Sequence, residues 1–154
     1  MPREMNEDAV IITGARHEAG HAVMRWQLRW PATRLIVRDD GSGFCAGTGR
    51  RVDAEEALLV ALAGPAAEIS MRAGLLDWER SHFGDFGKAR HLLTQCVPAK
   101  DIDATLRYEF AFACEVLSHD SDLIDAIAER LHDRGEVSAR SVAALCREYE
   151  RRLR

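Results

Sequence analysis

Residues 17–21 read His17-Glu18-Ala19-Gly20-His21. On an α-helix, side chains four positions apart lie on one face, one above the other, so both imidazoles aim at a common point. Two neutral ring nitrogens so placed can share a zinc ion. Glu18 stands one step round the helix, placed to take a proton from a metal-activated water without being a ligand itself. The spacing is H-E-x-x-H, the motif of zinc metalloproteases. The plainer alternative is a solvated amphipathic helix whose histidines do nothing.

The motif lies inside a stretch that predicts a first helix from about Asp8 to Leu28, with Val10, Ile11, Val23, Met24, Trp26 and Leu28 among its apolar residues. Trp30-Pro31 stops it, because the residue before proline is pushed out of helical geometry. Gly14 and Gly20 each cost about 1 kcal/mol against alanine inside a helix. A glycine beside a candidate ligand therefore suggests the close approach of another backbone.

The chain has 154 residues, the length of one ordinary domain and enough to bury a core, and the expectation is a single domain over residues 1–154. Hydrophobic residues make up 47% and charged residues 30%, which excludes a disordered or fibrous class. The net charge of -4, with no dense basic stripe, argues against a nucleic-acid partner. Arg147, Arg151, Arg152 and Arg154 form the one local basic excess, which the dipole at a helix end accounts for. Cys45, Cys96, Cys114 and Cys146 show no C-x-x-C spacing and read as reduced, mostly buried thiols. No run of apolar residues is long enough to span a membrane, and no export signal opens the chain, so the expected location is cytoplasmic.

Beyond the first helix, Arg34-Leu35-Ile36-Val37, the turn Asp39-Asp40-Gly41-Ser42-Gly43 and the return Phe44-Cys45-Ala46-Gly47 predict a β-hairpin, the only strand material expected. Such a hairpin offers an edge on which an extended peptide can pair, or it is a structural flap. From Asp53 on the pattern is helical. Asp53 and Glu56 form a helix start, and Ala57, Leu58, Val60, Ala61, Leu62, Ala66, Ala67 and Ile69 are too apolar for a surface helix. This helix is expected at the centre, kinked at Gly64-Pro65. A loop from about Gly74 to Gly84 leads to a helix with Asp85 in its first turn and Ala89, Leu92, Leu93 and Cys96 on its buried side. Three more helices are expected near Asp101–Leu117, Asp122–Arg134 and Ala139–Leu153, with Gly135 ending one and Ser138 capping the next. The fold class is mainly α, a zincin-like helical domain with a short β-hairpin between the zinc-binding helix and the central helix.

A catalytic zinc site takes three protein ligands and keeps one position open, so two histidines do not complete it. The metzincin extension is excluded, because Met24 and Gln27 stand where that subclass has glycine and histidine. Glu68, His82, Asp85 and His91 remain as candidates. Glu68, in a strongly apolar helix, is either a ligand or a carboxylate receiving the outer ring N–H of a zinc histidine. Asp85 is either a ligand or a helix cap.

Three segments in order, His17-Glu18-Ala19-Gly20-His21-Ala22, then Leu62-Ala63-Gly64-Pro65-Ala66-Ala67-Glu68, then Gly84-Asp85 with Ala89 beyond, resemble the peptidase domain of the FtsH family of ATP-dependent zinc proteases. Ala128-Glu129-Arg130-Leu131 and Gly135-Glu136-Val137-Ser138 resemble that family's last helix pair, so the likeness spans about Ala9 to Leu145. In the family, an aspartate heading a later helix completes the zinc site, and by position that residue is Asp85. The resemblance thus implies a zinc endopeptidase with His17, His21 and Asp85 as ligands, Glu18 as the base and Glu68 in support. Pro65, Ile69 and Gly84 depart from the family's arginine, acidic and polar residues at those positions, which puts the surrounding packing and subunit contacts in doubt.

No G-x-x-x-x-G-K-[ST] phosphate loop occurs, so the expectation is a peptidase domain acting on polypeptides alone, as a homo-oligomer, or with a separate ATPase. Two other roles fit the motif. One is a peptidase dedicated to a single partner protein, as in the ImmA type, and the other is a non-catalytic binding module.

Overall fold

A computed structural model describes residues 2–45, 53–69 and 83–154, with the side chains of 2–6 and 83 outside the description. It is mainly helical. In chain order the described elements are α1 (Pro2–Gln27), β1 (Leu35–Val37), β2 (Gly43–Cys45), α2 (Ala54–Glu68), α3 (Phe83–Thr94), a 3-10 turn (Ala99–Asp101), α4 (Ile102–Ser118), α5 (Ser121–Arg134), β3 (Glu136–Val137) and α6 (Ala139–Arg152). The expected loop from Gly74 to about His82, and Ala46 and Gly47 of the expected hairpin, lie outside the described residues.

The helix ends follow local chemistry. Asp53 caps α2 by accepting from the Glu55 amide at 2.9 Å, and Ser138 caps α6 by accepting from the Ser141 amide at 3.1 Å. Gly135 closes α5 in the left-handed region, at φ 73°. Glu56 stands in the first turn of α2, as the sequence suggests, and accepts from Trp30 Nε1 at 2.8 Å. The first helix is longer than expected and begins at Pro2, a residue suited to a first helical position because its missing amide proton has no partner there.

α2 is the central element. From Leu58 to Glu68 every residue except Val60 is buried, and the helix packs against α1, α3 and α4. It continues past Gly64-Pro65 to Glu68. α1 is wedged between α2 and α5, and its seam with α2 is lined by small residues. A side chain on Gly20 would collide with the Ala63 carbonyl at 2.5 Å, so these two backbones approach as the sequence suggested. Arg16 closes the lower end of the seam, donating to the Ala67 carbonyl at 2.6 Å and pairing with Asp125 of α5. The far end of α1 is tied down by Trp26 Nε1 to Glu150 at 2.7 Å and Gln27 to Asp120 at 2.5 Å.

The strand content corrects the sequence reading. The hairpin forms as expected, with Leu35 opposite Cys45 and Val37 opposite Gly43. β3 adds to the other edge of β1, giving a three-stranded antiparallel sheet in the order β2-β1-β3. Residues 136–137 are too few to show an alternating pattern in the sequence. The extended step after the left-handed Gly135 places them beside β1, where the Gly135 carbonyl accepts from the Val37 amide at 2.9 Å. The cysteines are free, but Cys96 is exposed, Cys45 and Cys114 are half-buried and only Cys146 is buried.

Candidate metal centre

α1 brings His17 and His21 to the seam with α2, as their four-residue spacing requires, and α3 brings Asp85 across from its first turn. The two Nε2 atoms are 3.1 Å apart, and Asp85 Oδ2 lies 2.7 Å from His17 Nε2 and 3.4 Å from His21 Nε2. Ligand atoms about 2.0–2.1 Å from a tetrahedral ion stand about 3.3 Å from one another, so this triangle has the size of a zinc face. The three form the one His/Cys/Asp/Glu group among the described residues with the spacing to hold a metal ion.

The outer nitrogens are held as well. His17 Nδ1 lies 2.9 Å from Glu68 Oε2, and His21 Nδ1 lies 2.7 Å from the Val60 carbonyl. Both acceptors favour a proton on Nδ1, which leaves the Nε2 lone pairs facing the common point. Glu68 thus stands on the outer side of the His17 ring, apart from the point where His17, His21 and Asp85 meet. It is 3% exposed, at the end of the otherwise apolar run from Ala57 to Ala67, and the histidine contact gives its burial a purpose. Gly64 completes the cradle, since a Cβ there would stand 2.5 Å from His17 Nε2 and collide with His21 Nε2 also.

Without an ion, charge is shared within the cluster. Burial pushes the His17 pKa down, but the hydrogen bonds to Asp85 and Glu68 outweigh it and raise the group to about 10. Burial pushes Asp85 up, and the contacts with His17 and His21 reverse this and hold it well below the usual carboxylate range. The preference for opposite charges at this point is what a divalent cation satisfies more fully than a shared proton. Glu18 is buried beside the histidines, and desolvation raises its carboxyl above the ordinary range although His21 and His17 pull it back in part. A carboxylate raised in this way is a better proton acceptor at neutral pH.

These groups open onto a cleft of about 490 Å³, within the usual size of a ligand site. β2 forms one wall, and among the described residues its outer edge is unpaired. Of the sequence candidates, His17, Glu18, His21 and Asp85 meet in this cleft and Glu68 supports them from behind. His91 is exposed on α3 with Gln95 as its side-chain neighbour, and His82 lies outside the described residues. Arg25, Trp30 and Lys88 also line the cleft and were not singled out in the sequence.

Among the described residues no helix is long and apolar enough to cross a membrane. No protein-family model matches the sequence, and no curated protein matches it either.

Proposed function

We propose that the chain is a zinc-dependent endopeptidase with a zincin-like, FtsH-type arrangement, hydrolysing peptide bonds in flexible or unfolded polypeptides. The observation that carries this reading is the convergence of His17 Nε2, His21 Nε2 and Asp85 Oδ2 at one point of an open cleft, with Glu18 beside them. His17, His21 and Asp85 would hold the ion. When bound, zinc acidifies a water to a pKa of about 7 and polarises the scissile carbonyl. Glu18 takes the proton of the attacking water and delivers it to the leaving amine. Glu68 keeps the His17 ring in the tautomer and orientation that ligation needs. The outer edge of β2, unpaired among the described residues, suits an extended backbone, which folded proteins present only in flexible segments. A separate ATPase or a homo-oligomer belongs to the same reading as a source of such segments.

The test is bound metal and peptide hydrolysis measured side by side for the wild type and Glu18→Gln. The variant is expected to keep stoichiometric zinc and to lose about 10²-fold or more in turnover. Undiminished hydrolysis would remove Glu18 from the mechanism, and a wild type without zinc at neutral pH would favour a binding module.

A further inference from the structure

Arg25 carries the inference, and it rests on the peptidase reading above. It follows His21 by four residues on α1, lines the same cleft and is 5% exposed. Its guanidinium is held in place without being neutralised. Nη2 donates to the Pro31 carbonyl at 3.1 Å, and Cζ lies 5.1 Å from the centroid of the Trp30 ring. Nε is buried with no acceptor, and no carboxylate pairs with the group among the described residues.

Glu18 lines the same cleft but makes no ion pair with Arg25, and other acids of the region are engaged. Glu56 accepts from Trp30 Nε1, Glu68 holds His17, and Asp85 faces both histidines. Arginine does not lose its proton in proteins, so neutralisation is no way out of this burial. A desolvated cation without a partner destabilises a fold unless an anion comes to it, and a planar guanidinium matches a carboxylate best. Lys88, also on the cleft, adds positive charge from α3.

We propose that Arg25 makes this end of the cleft a carboxylate-binding subsite, so that the preferred substrate carries an acidic group close to the scissile bond. Four helical residues advance about 6 Å, and an extended peptide advances about 3.3 Å per residue. The acidic group therefore lies about two residues from the bond that is cut. It is either an Asp or Glu side chain or the carboxylate of a chain terminus.

The test compares peptides identical except for Glu, Gln or Lys at each position around one scissile bond, each made with a free and an amidated C-terminus. With zinc-loaded wild type, Glu is expected to exceed Gln by about tenfold in kcat/KM at one position, with Lys lower still. A preference for the free terminus over the amide would assign the carboxylate to the chain end instead. Cleavage indifferent to all these charges would overturn the subsite and leave the peptidase reading standing.

The second readout is anisotropy of the same peptides, labelled, on metal-free protein, which reports on the subsite even where nothing is cleaved. Tighter binding of the peptide with the Glu side chain or the free terminus by wild type supports the proposal, and binding indifferent both to Glu against Gln and to free against amidated terminus overturns it. Arg25→Met is expected to abolish the discrimination and Arg25→Lys to keep part of it. The wild-type peptide series decides the question if either variant fails to fold.

Discussion

The α1–α2 seam and the α5–α6 pair are both helix contacts of one chain, and they are built in opposite ways. α5 buries Leu123, Ile124, Ile127 and Leu131 and α6 buries Val142 and Cys146, and both helices have polar outer faces and orthodox ends at Gly135 and Ser138. Between α1 and α2 the contact sets Gly20 against Ala63 and Ala67, and Gly64 against the rings of His17 and His21, with the buried Glu68 reaching His17. The second contact breaks the rules that the first obeys, with glycine and proline inside helices and charge inside a core. Such violations gather where a protein has something other than stability to achieve. Close backbones are what allow a carboxylate on α2 to reach a ring on α1 while the ring reaches outward to Asp85.

The sharpest way to break this contrast is to place one β-branched side chain in each contact. Gly20→Val forces the backbones apart at the Ala63 carbonyl and is expected to destabilise by about 4 kcal/mol or more, while Ala143→Val on α6 stays within about 1 kcal/mol. Urea midpoints of the two variants check this, and equal losses would mean that the seam has slack. Next in size is Glu68→Gln, expected to leave the fold intact and weaken zinc binding by about 10- to 100-fold in a competition titration. An unchanged affinity would make Glu68 a packing residue only.

The smallest effect belongs to the ordinary part of the molecule. His132 of α5 lies 2.6 Å from Asp8 of α1, and that contact raises the histidine from its usual 6.5. A raised folded pKa contributes stability that is complete below pH about 6.5 and disappears as pH rises through the folded value. Asp8→Asn should therefore cost about 0.5 kcal/mol in acid and nothing in alkali. A loss independent of pH would point to packing rather than charge.

Much of this was legible in the sequence because it is local. The four-residue spacing of His17 and His21, the caps at Asp53 and Ser138 and the stop at Gly135 depend on near neighbours, and all stand as read. The meeting of Asp85 with those histidines is not local, and at the level of residues it stayed open between ligand and cap until family likeness gave a preference. β3 was missed because two residues carry no period, and its pairing is decided by where α5 delivers the chain. Arg25 was passed over since an arginine on a helix is ordinarily solvated. Only the return of the chain through Trp30 and Pro31 reveals that this one is enclosed.

β1 sits in the middle of its sheet, with one neighbour a few residues away and the other at positions 136–137. During synthesis, His17, His21 and Glu68 leave the ribosome early, and α1 and α2 have everything they need to meet. The β1–β2 hairpin that walls the cleft is local, but its sheet is completed only by the far end of the chain, because long-range strand pairing follows local structure. A nascent chain thus carries both histidines and the strand beside them before β3 arrives to complete the sheet.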